Sequence, residues 1–128
     1  MTPLKPLTKP AITREQLKLY ADASTDHNAI HLDDAVAKKA GLPGVIAHGM
    51  LTMAFMGEFL HSIEPGSPGR VRIAEMSCRF KAMTFPGDVI TVSGSRNGDA
   101  VTMETRNQKG EVTATGHASI QISDRASL

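Results

Sequence analysis

Hydrophobic residues recur with two different periods along the chain, and the change of period divides it into two halves. Before residue 64 the apolar positions recur every three to four residues, which is typical of helices. From Arg70 onward they recur every second residue, which is typical of strands. The sequence therefore predicts helices first and an antiparallel sheet afterwards, joined by a Pro- and Gly-rich turn at residues 64–69.

Two short helices are predicted in the first part of the chain, over residues 13–25 and 33–40. Thr13 is the expected N-cap of the first helix, because its hydroxyl can accept a hydrogen bond from the first turn. The second helix starts with acidic and ends with basic residues, in agreement with the helix dipole. Its predicted inner face consists of Val36, Ala37 and Ala40.

A third predicted helix, over residues 48–62, is apolar on nearly all sides. One stripe along it holds Met50, Met53, Ala54, Gly57 and His61, and another holds Leu51, Phe55 and Phe59. A helix of this kind is normally buried within the fold. We therefore expect the sheet to cover this helix.

The second half of the chain predicts about four strands. A change of phase near Ala74 and Glu75 indicates a bulge, after which Met76, Cys78 and Phe80 share one face. Asn97-Gly98-Asp99 is a hairpin signal, because Asn-Gly accepts the positive φ of a tight turn. The last strand, over residues 112–122, has small residues at its middle, where a helix can approach closely.

These elements predict an α+β fold in which an antiparallel sheet curls around a central helix. The 128 residues fit a single domain over 1–128, with residues 1–12 as an N-terminal arm or short edge strand and residues 123–128 as a frayed tail. The edges of the sheet need a partner, which favours an oligomer.

Composition excludes several classes of function. A formal net charge of +1, with few aromatic residues, disfavours nucleic acid as a partner. No stretch is long and apolar enough for a membrane span or an export signal, and one cysteine, Cys78, excludes an internal disulfide. We expect a cytoplasmic protein in which Cys78 packs in the core. Phosphate-loop, dinucleotide and nucleophile-elbow motifs do not occur in the sequence.

Ionisable and amide side chains are concentrated in residues 24–50. They are Asp26, His27, Asn28, His31, Asp33, Asp34 and His48. One interpretation is a solvated loop in which these side chains cap the backbone. A second is a metal site with His27 and His31 as nitrogen ligands. Asp26 or Asp33 would add a carboxylate, although a loop lacks the i, i+4 spacing that usually holds such a pair.

The third interpretation is general acid–base catalysis. Asp26 and His31 are a carboxylate and an imidazole that can both exchange protons near neutral pH once partly buried. Gly49 lies at the start of the third helix, where free N–H groups and the helix dipole favour a developing oxyanion. A base, an acid and an oxyanion donor are the groups needed to add water to an α,β-unsaturated thioester.

The run from Tyr20 to Met56, YADASTDHNAIHLDDAVAKKAGLPGVIAHGMLTMAFM, resembles the hydratase motif of the MaoC-like dehydratases, which include the (R)-specific enoyl-CoA hydratases. The motif is roughly Y-x-x-x-S-G-D-x-N-P-[IL]-H, followed by A-H-G-M. A weaker resemblance covers the PLTKPAIT lead-in and the strands, including the turn at Phe85–Asp88. The resemblance implies a hot-dog fold, a sheet wrapped around a long helix, in agreement with the predicted α+β architecture.

By this resemblance, Asp26 and His31 position and deprotonate water for attack on C3 of a trans-2-enoyl thioester and deliver a proton to C2. Asn28 orients the loop, and Gly49 donates its backbone N–H to the thioester carbonyl. The expected pocket-lining residues are His48, Met50, Met53 and Gly57, of which His48 has chiefly a structural hydrogen-bonding role. The resemblance implies acyl-CoA as the substrate, acyl carrier protein as the other candidate carrier, and neither metal nor redox cofactor.

Three positions depart from the family pattern. Thr25 stands where glycine is usual and Ala29 where proline is usual, so the loop loses one permissive and one rigid backbone position. Gly57 stands where some members have a serine near the substrate. Its small size would leave space for a longer or bulkier acyl group.

Two other functions stay open. A hot-dog acyl-CoA thioesterase would share the fold but cleave the C–S bond, and the A-H-G-M and Asp/His pattern disfavours it. A scaffolding or binding subunit of a heteromeric dehydratase would leave the chemistry to a homologous partner. We expect a homodimer or higher homo-oligomer, with a heteromer containing a homologous subunit as the alternative.

Overall fold

The computed structural model describes residues 1–64 and 70–123. Most of the predicted turn after Glu64 and the predicted tail from residue 124 lie outside these residues. The described elements, in chain order, are β1 (Thr2–Pro3), β2 (Leu7–Thr8), α1 (Arg14–Ser24), a 3₁₀ turn (Ala29–His31), α2 (Asp34–Lys39), α3 (Gly49–His61), β3 (Val71–Phe80), β4 (Thr91–Asn97), β5 (Ala100–Arg106) and β6 (Val112–Ile122). Helices precede the long strands, as the change of period predicts.

The strands form one antiparallel sheet with the order β1-β4-β5-β6-β3, and β2 also pairs with β4. The register of β3 against β6 shifts between Ile73 and Glu75, at the position where the change of phase predicts a bulge. The β4–β5 hairpin turns through Gly98, whose φ is +61°. Within the described residues β3 pairs only with β6, so its outer edge forms no ladder.

One side of α3 packs on this sheet and forms the core. The buried residues of the helix are Leu51, Thr52, Phe55, Met56, Phe59 and Leu60. They meet side chains from β4, β5 and β6, among them Val92, Val101 and Ile120. A Cβ on Gly116 would lie 3.0 Å from Sδ of Met56, so the small residue at the middle of β6 permits the close approach that the sequence predicts.

The described residues do not cover the other side of α3. Met50 is 56% exposed, and Ala54 is also exposed. Phe80 is 48% exposed at the end of β3, although its alternation with Met76 and Cys78 predicts an inward position. A sheet on one side of a helix covers only that side, so the described residues do not bury α3 on every side as its sequence predicts. Among the described residues, no helix has the length and apolar character to span a bilayer.

The predicted inner face of α2 is wrong in two of its three positions. Ala37 is fully buried, but Val36 is 39% exposed and Ala40 is also exposed. The helix has only 6 residues and contacts mainly the 3₁₀ turn, so little of its surface reaches the core. Its N-cap is Asp33, whose carboxylate accepts hydrogen bonds from the N–H groups of the first turn.

The ends of α1 are set by two threonines. Thr13 Oγ1 accepts a hydrogen bond from the Gln16 N–H at 3.0 Å, so Thr13 is the N-cap that the sequence predicts. Thr25 is the C-cap, with φ +62° and ψ 15°, and it is the one non-glycine residue with positive φ in the described part of the chain. A β-branched residue is strained in this left-handed conformation, which glycine adopts readily.

We therefore expect Thr25→Gly to stabilise the protein. Relief of the left-handed strain, about 1–2 kcal/mol, exceeds the added flexibility of glycine in the unfolded chain, about 0.4–1 kcal/mol. The net gain in the free energy of unfolding should be about 1 kcal/mol, measured by urea denaturation. Thr25→Ala is the control, because it removes the hydroxyl and keeps the strain. A glycine variant no more stable than the alanine variant would contradict the prediction.

Candidate active site

Asp26 follows the C-cap of α1, and local hydrogen bonds hold its position. Its N–H donates to Ser24 Oγ at 3.3 Å, and its Oδ1 accepts the N–H of Asn28, also at 3.3 Å. The side chain is exposed. The αL residue before it, Thr25, turns the chain sharply at the end of α1.

Asn28 is the N-cap of the 3₁₀ turn. Its Oδ1 accepts a hydrogen bond from the Ile30 N–H at 3.2 Å, and the His31 N–H donates to the Asn28 carbonyl at 3.0 Å. The side chain thereby orders the start of the three-residue turn that ends at His31. Ala29, where the family pattern has proline, is the first residue of the turn.

His31 ends the 3₁₀ turn and is 8% exposed. Its Nδ1 lies 2.7 Å from the carbonyl oxygen of Ile46, which can only accept a hydrogen bond. Nδ1 is therefore the protonated nitrogen, and in the neutral ring Nε2 carries the free lone pair. The Ile46 N–H donates in turn to the Ile30 carbonyl at 3.1 Å, so the backbone after α2 fixes both the tautomer and the orientation of the ring.

His48, the residue before α3, completes the group. It is 2% exposed, and its Nε2 donates to the backbone carbonyl of Asp26 at 3.0 Å. Its ring stacks on that of His31, with centroids 3.8 Å apart and an interplanar angle of 25°, and it meets Tyr20 at 4.9 Å on a tilted contact. Nδ1 of His48 is buried and has no partner among the described residues.

Asp26, His31 and His48 form one cluster, in which the carboxylate and imidazole atoms lie within 4.8 Å of one another. The sequence predicts Asp26 and His31 as a catalytic pair, but it does not predict that His48 lies beside them. His27, which the sequence offers as a metal ligand, lies apart, because its Nε2 is 2.9 Å from Asp22 Oδ1. Asp33, the other candidate ligand, caps α2. The metal site suggested by the sequence, with His27 and His31 as ligands, is therefore not formed.

Gly49 is the first residue of α3, so its N–H has no acceptor within the helix. A Cβ at this position would lie 3.1 Å from the Phe80 ring, which shows how closely other groups approach the backbone here. Gly49 borders a cavity of about 360 Å³ together with Phe80 and Lys81. His31 borders a second cavity of about 650 Å³ beside α1.

The other predicted pocket residues lie along the open side of α3. Met50 is exposed, while Met53 and Gly57 are half-buried. A Cβ on Gly57 would meet no atom within 4 Å. A pocket-lining role for His48, Met50, Met53 and Gly57 stays a prediction.

Two ionisable groups outside the cluster have shifted pKa values. The Val45 N–H, which donates to Asp34 Oδ1, lowers the pKa of Asp34, and the nearby Arg14 guanidinium lowers it further. Because Val45 precedes Ile46, Asp34 helps to hold the carbonyl that orients His31. Burial raises the pKa of the Cys78 thiol, which disfavours the thiolate that a nucleophile needs.

Residues 2–118 match the MaoC like domain family, and the chain belongs to this family. The (R)-specific enoyl-CoA hydratase of Rhodospirillum rubrum is 30% identical over 120 residues, which are 89% of this chain and 82% of that protein. The structure of an (R)-hydratase of A. caviae involved in PHA biosynthesis aligns with a TM-score of 0.81 at 26% identity, covering 93% of both chains. The ChsH1-ChsH2 complex of Mycobacterium tuberculosis has a TM-score of 0.80 over 95% of this chain and 96% of the other. Its 17% identity shows the fold alone.

These neighbours identify the fold as the hot-dog fold that the resemblance implies. The first curated relatives are far longer than this chain. They include fungal fatty acid synthase subunits, of which the chain spans 3–5% at 34–40% identity.

The contact between Asp34 and Val45 predicts a specific pH dependence of stability. A carboxyl whose pKa is lower in the folded protein stabilises it above the unfolded pKa, and this contribution is lost as the pH falls through the folded pKa. From the unshifted value of 3.8 downward, the wild type should therefore lose stability more steeply than Asp34→Asn. Urea denaturation across this range measures both slopes.

Arg14→Gln is the matched variant, because it removes the guanidinium and keeps the Val45 N–H. Its slope should stay close to that of the wild type, since the backbone hydrogen bond is the larger cause. A slope equal to that of Asp34→Asn would assign the effect to the ion pair instead.

Proposed function

We propose that the protein catalyses the reversible hydration of trans-2-enoyl thioesters to (R)-3-hydroxyacyl thioesters. The observation that carries the proposal is the state of His31. Its Nδ1–H is held by the Ile46 carbonyl, which leaves Nε2 as the basic nitrogen, and a nitrogen of the ring lies within 4.8 Å of an Asp26 carboxylate oxygen. A fixed tautomer and a nearby carboxylate are the arrangement that general acid–base catalysis needs. The (R) configuration follows the relatives named (R)-hydratases.

In the proposed reaction, Asp26 and His31 bind one water molecule between them. One of the pair takes a proton from the water as its oxygen forms a bond to C3 of the substrate, and the other delivers a proton to C2 on the same face. The C2–C3 double bond becomes a single bond, so one water is added and nothing leaves. Microscopic reversibility makes the same groups dehydrate the 3-hydroxyacyl product.

Negative charge develops on the thioester oxygen when water attacks C3. We assign the N–H of Gly49 to this oxygen, because it is a free donor at the positive end of α3. A Cβ at Gly49 would lie 3.1 Å from the Phe80 ring, so a glycine here avoids a clash with that ring. Asn28 caps the 3₁₀ turn and so helps to hold His31 in position relative to Asp26.

The reaction needs neither redox chemistry nor a metal, because a proton donor, a proton acceptor and an oxyanion donor suffice for it. Coenzyme A is the carrier that we propose for the acyl group, with acyl carrier protein as the second candidate. One named relative acts on acyl-CoA, and another, a 3-hydroxyacyl-[acyl-carrier-protein] dehydratase of Arabidopsis thaliana, names the carrier protein. The cytoplasmic location stays a prediction.

We propose a homodimer or higher homo-oligomer as the active form. The outer edge of β3, with ten residues, and the open side of α3 are both unpaired within the described chain. Met50, Phe80 and Met83 add exposed apolar area near the Gly49 cavity. Such surfaces usually mark an interface between subunits. A homologous second subunit is the alternative partner.

Hydration of crotonyl-CoA by the purified protein, followed as the loss of enoyl absorbance, tests the proposal. Asp26→Asn should lower kcat/KM by about 10²–10⁴-fold, because the amide cannot exchange protons as the carboxylate does. The shape of the side chain is retained, so the fold should not change. Asp22→Asn, which removes a nearby exposed carboxylate, should keep wild-type activity.

Light scattering on the same sample gives the mass of the active species. An assembled, folded wild type that hydrates neither short nor long enoyl-CoA would contradict the proposal. It would favour the alternative in which this chain is a scaffolding or binding subunit. Release of free coenzyme A from a saturated acyl-CoA would instead support the thioesterase alternative.

The small size of Gly57 predicts that the protein accepts long or branched acyl chains. Open space around its Cα position leaves room for a longer or branched acyl group along α3. Gly57→Leu should therefore lower kcat/KM for long-chain enoyl-CoA by at least about tenfold and leave crotonyl-CoA hydration nearly unchanged. An activity series from C4 to long and branched chains measures this. Gly57→Ala is the control, because its methyl group fills little of this space, and it should keep the long-chain activity. A flat series in Gly57→Leu would contradict the prediction.

A further inference from the structure

The cluster of Asp26, His31 and His48 contains several hydrogen-bond acceptors and no free donor to pair with them. Each histidine donates one N–H to a backbone carbonyl, His31 to Ile46 and His48 to Asp26. In the neutral rings, Nε2 of His31 and Nδ1 of His48 are therefore acceptors. The third member is a carboxylate, which only accepts when ionised.

The unpaired Nδ1 of His48 indicates that the site lacks a ligand. It is the one buried side-chain nitrogen or oxygen without a hydrogen-bond partner among the described residues, and the histidine is 98% buried. An unsatisfied buried acceptor destabilises the folded protein, so it normally has a water or an ion beside it. The catalytic role proposed for Asp26 and His31 does not use this nitrogen.

We propose that the cluster binds a Zn²⁺ ion, with one ligand each from Asp26, His31 and His48, and that the bound ion inhibits the enzyme. Two imidazoles and a carboxylate are a ligand set that zinc takes readily, and three protein ligands leave a position open for water. Each imidazole is already held by a carbonyl on its other nitrogen. This outer hydrogen bond is the usual support of a zinc-bound histidine.

The spacing of the ligands makes the ion an exchangeable one. One nitrogen of each histidine and one carboxylate oxygen of Asp26 lie within 4.8 Å of one another, whereas tetrahedral zinc with bonds of about 2.0–2.1 Å brings its ligands to about 3.3 Å. The two rings stack at 3.8 Å, so one of them has to turn, and to strain its hydrogen bond to the backbone carbonyl, before both lone pairs point at the same ion. Asp26 is exposed and can close over the ion. The cost of turning a buried ring sets an affinity weaker than that of a structural zinc site.

The binding rests on the cluster alone, and the inhibition rests on the proposed function. A zinc ion held by Asp26 and His31 occupies the place of the reacting water and takes the lone pair that His31 uses as a base. Both proton-transfer groups are then blocked. Removal of the ion restores them, because no covalent bond to the protein other than the metal–ligand bonds is made.

Calorimetric titration of chelator-treated protein with zinc chloride tests the site without any substrate. We expect one ion per wild-type chain. Asp26→Asn and His48→Gln should each weaken zinc binding, with a dissociation constant at least about tenfold higher than that of the wild type. His27→Gln is the matched control, because this exposed histidine lies in the same loop and pairs with Asp22, and its affinity for zinc should equal that of the wild type. Asp26→Asn keeps the oxygen that accepts the Asn28 N–H, so it remains informative if His48→Gln does not fold.

Hydration of crotonyl-CoA in parallel tests the inhibition. Activity should be full in chelator, should fall in proportion to the zinc bound, and should return when chelator is added again. Absence of binding to the wild type, or equal binding by all three variants, would overturn the site. Zinc binding without any loss of activity would overturn the inhibition. Zinc binding by a chain that is inactive in chelator would support the site and contradict the proposed function instead.

Discussion

The packing of α3 against the sheet is the contact on which the rest of the structure depends. Its buried side chains, with Phe59 and Leu60 fully covered, fill the space over β4, β5 and β6. Gly116 sets the distance, because a larger residue would meet Met56. With the helix fixed in this way, its first residue, Gly49, has a defined position beside the loop that carries the ionisable residues. An oxyanion donor on the backbone needs such a rigid support.

His48 connects this core to the loop. It lies one residue before the helix, donates to the Asp26 carbonyl and stacks on His31, so both proposed proton-transfer groups are positioned from the same end of α3. The loop contributes its own order through the Asn28 cap and the contact of His31 with Ile46. Local turns give the loop its shape, and the histidine next to the helix gives it a fixed place relative to Gly49.

The surface that the chain leaves open lies close to the same end of the helix. Met50 belongs to α3, Phe80 ends β3, and Phe80 and Met83 border the Gly49 cavity. An apolar surface at this place can bind either an acyl chain or a second subunit. In the assembly that we propose, association and substrate binding share one surface, so the partner would help to enclose the acyl group. Exclusion of water there would also strengthen the interaction of Gly49 with a developing charge.

Elements with local signals can be predicted from the sequence alone. Thr13 and Asp33 cap helices through side chains that reach only the next turn, and the alternation from Val112 to Ile122 specifies a strand over those residues. The motif residues Asp26, Asn28 and His31 lie within one loop, so their spacing already indicates a group. Tertiary packing brings His48 to this group and keeps His27 apart from it. It also leaves Val36 and Phe80 exposed. These outcomes depend on which distant segments pack together, and no period or spacing along the chain encodes that choice.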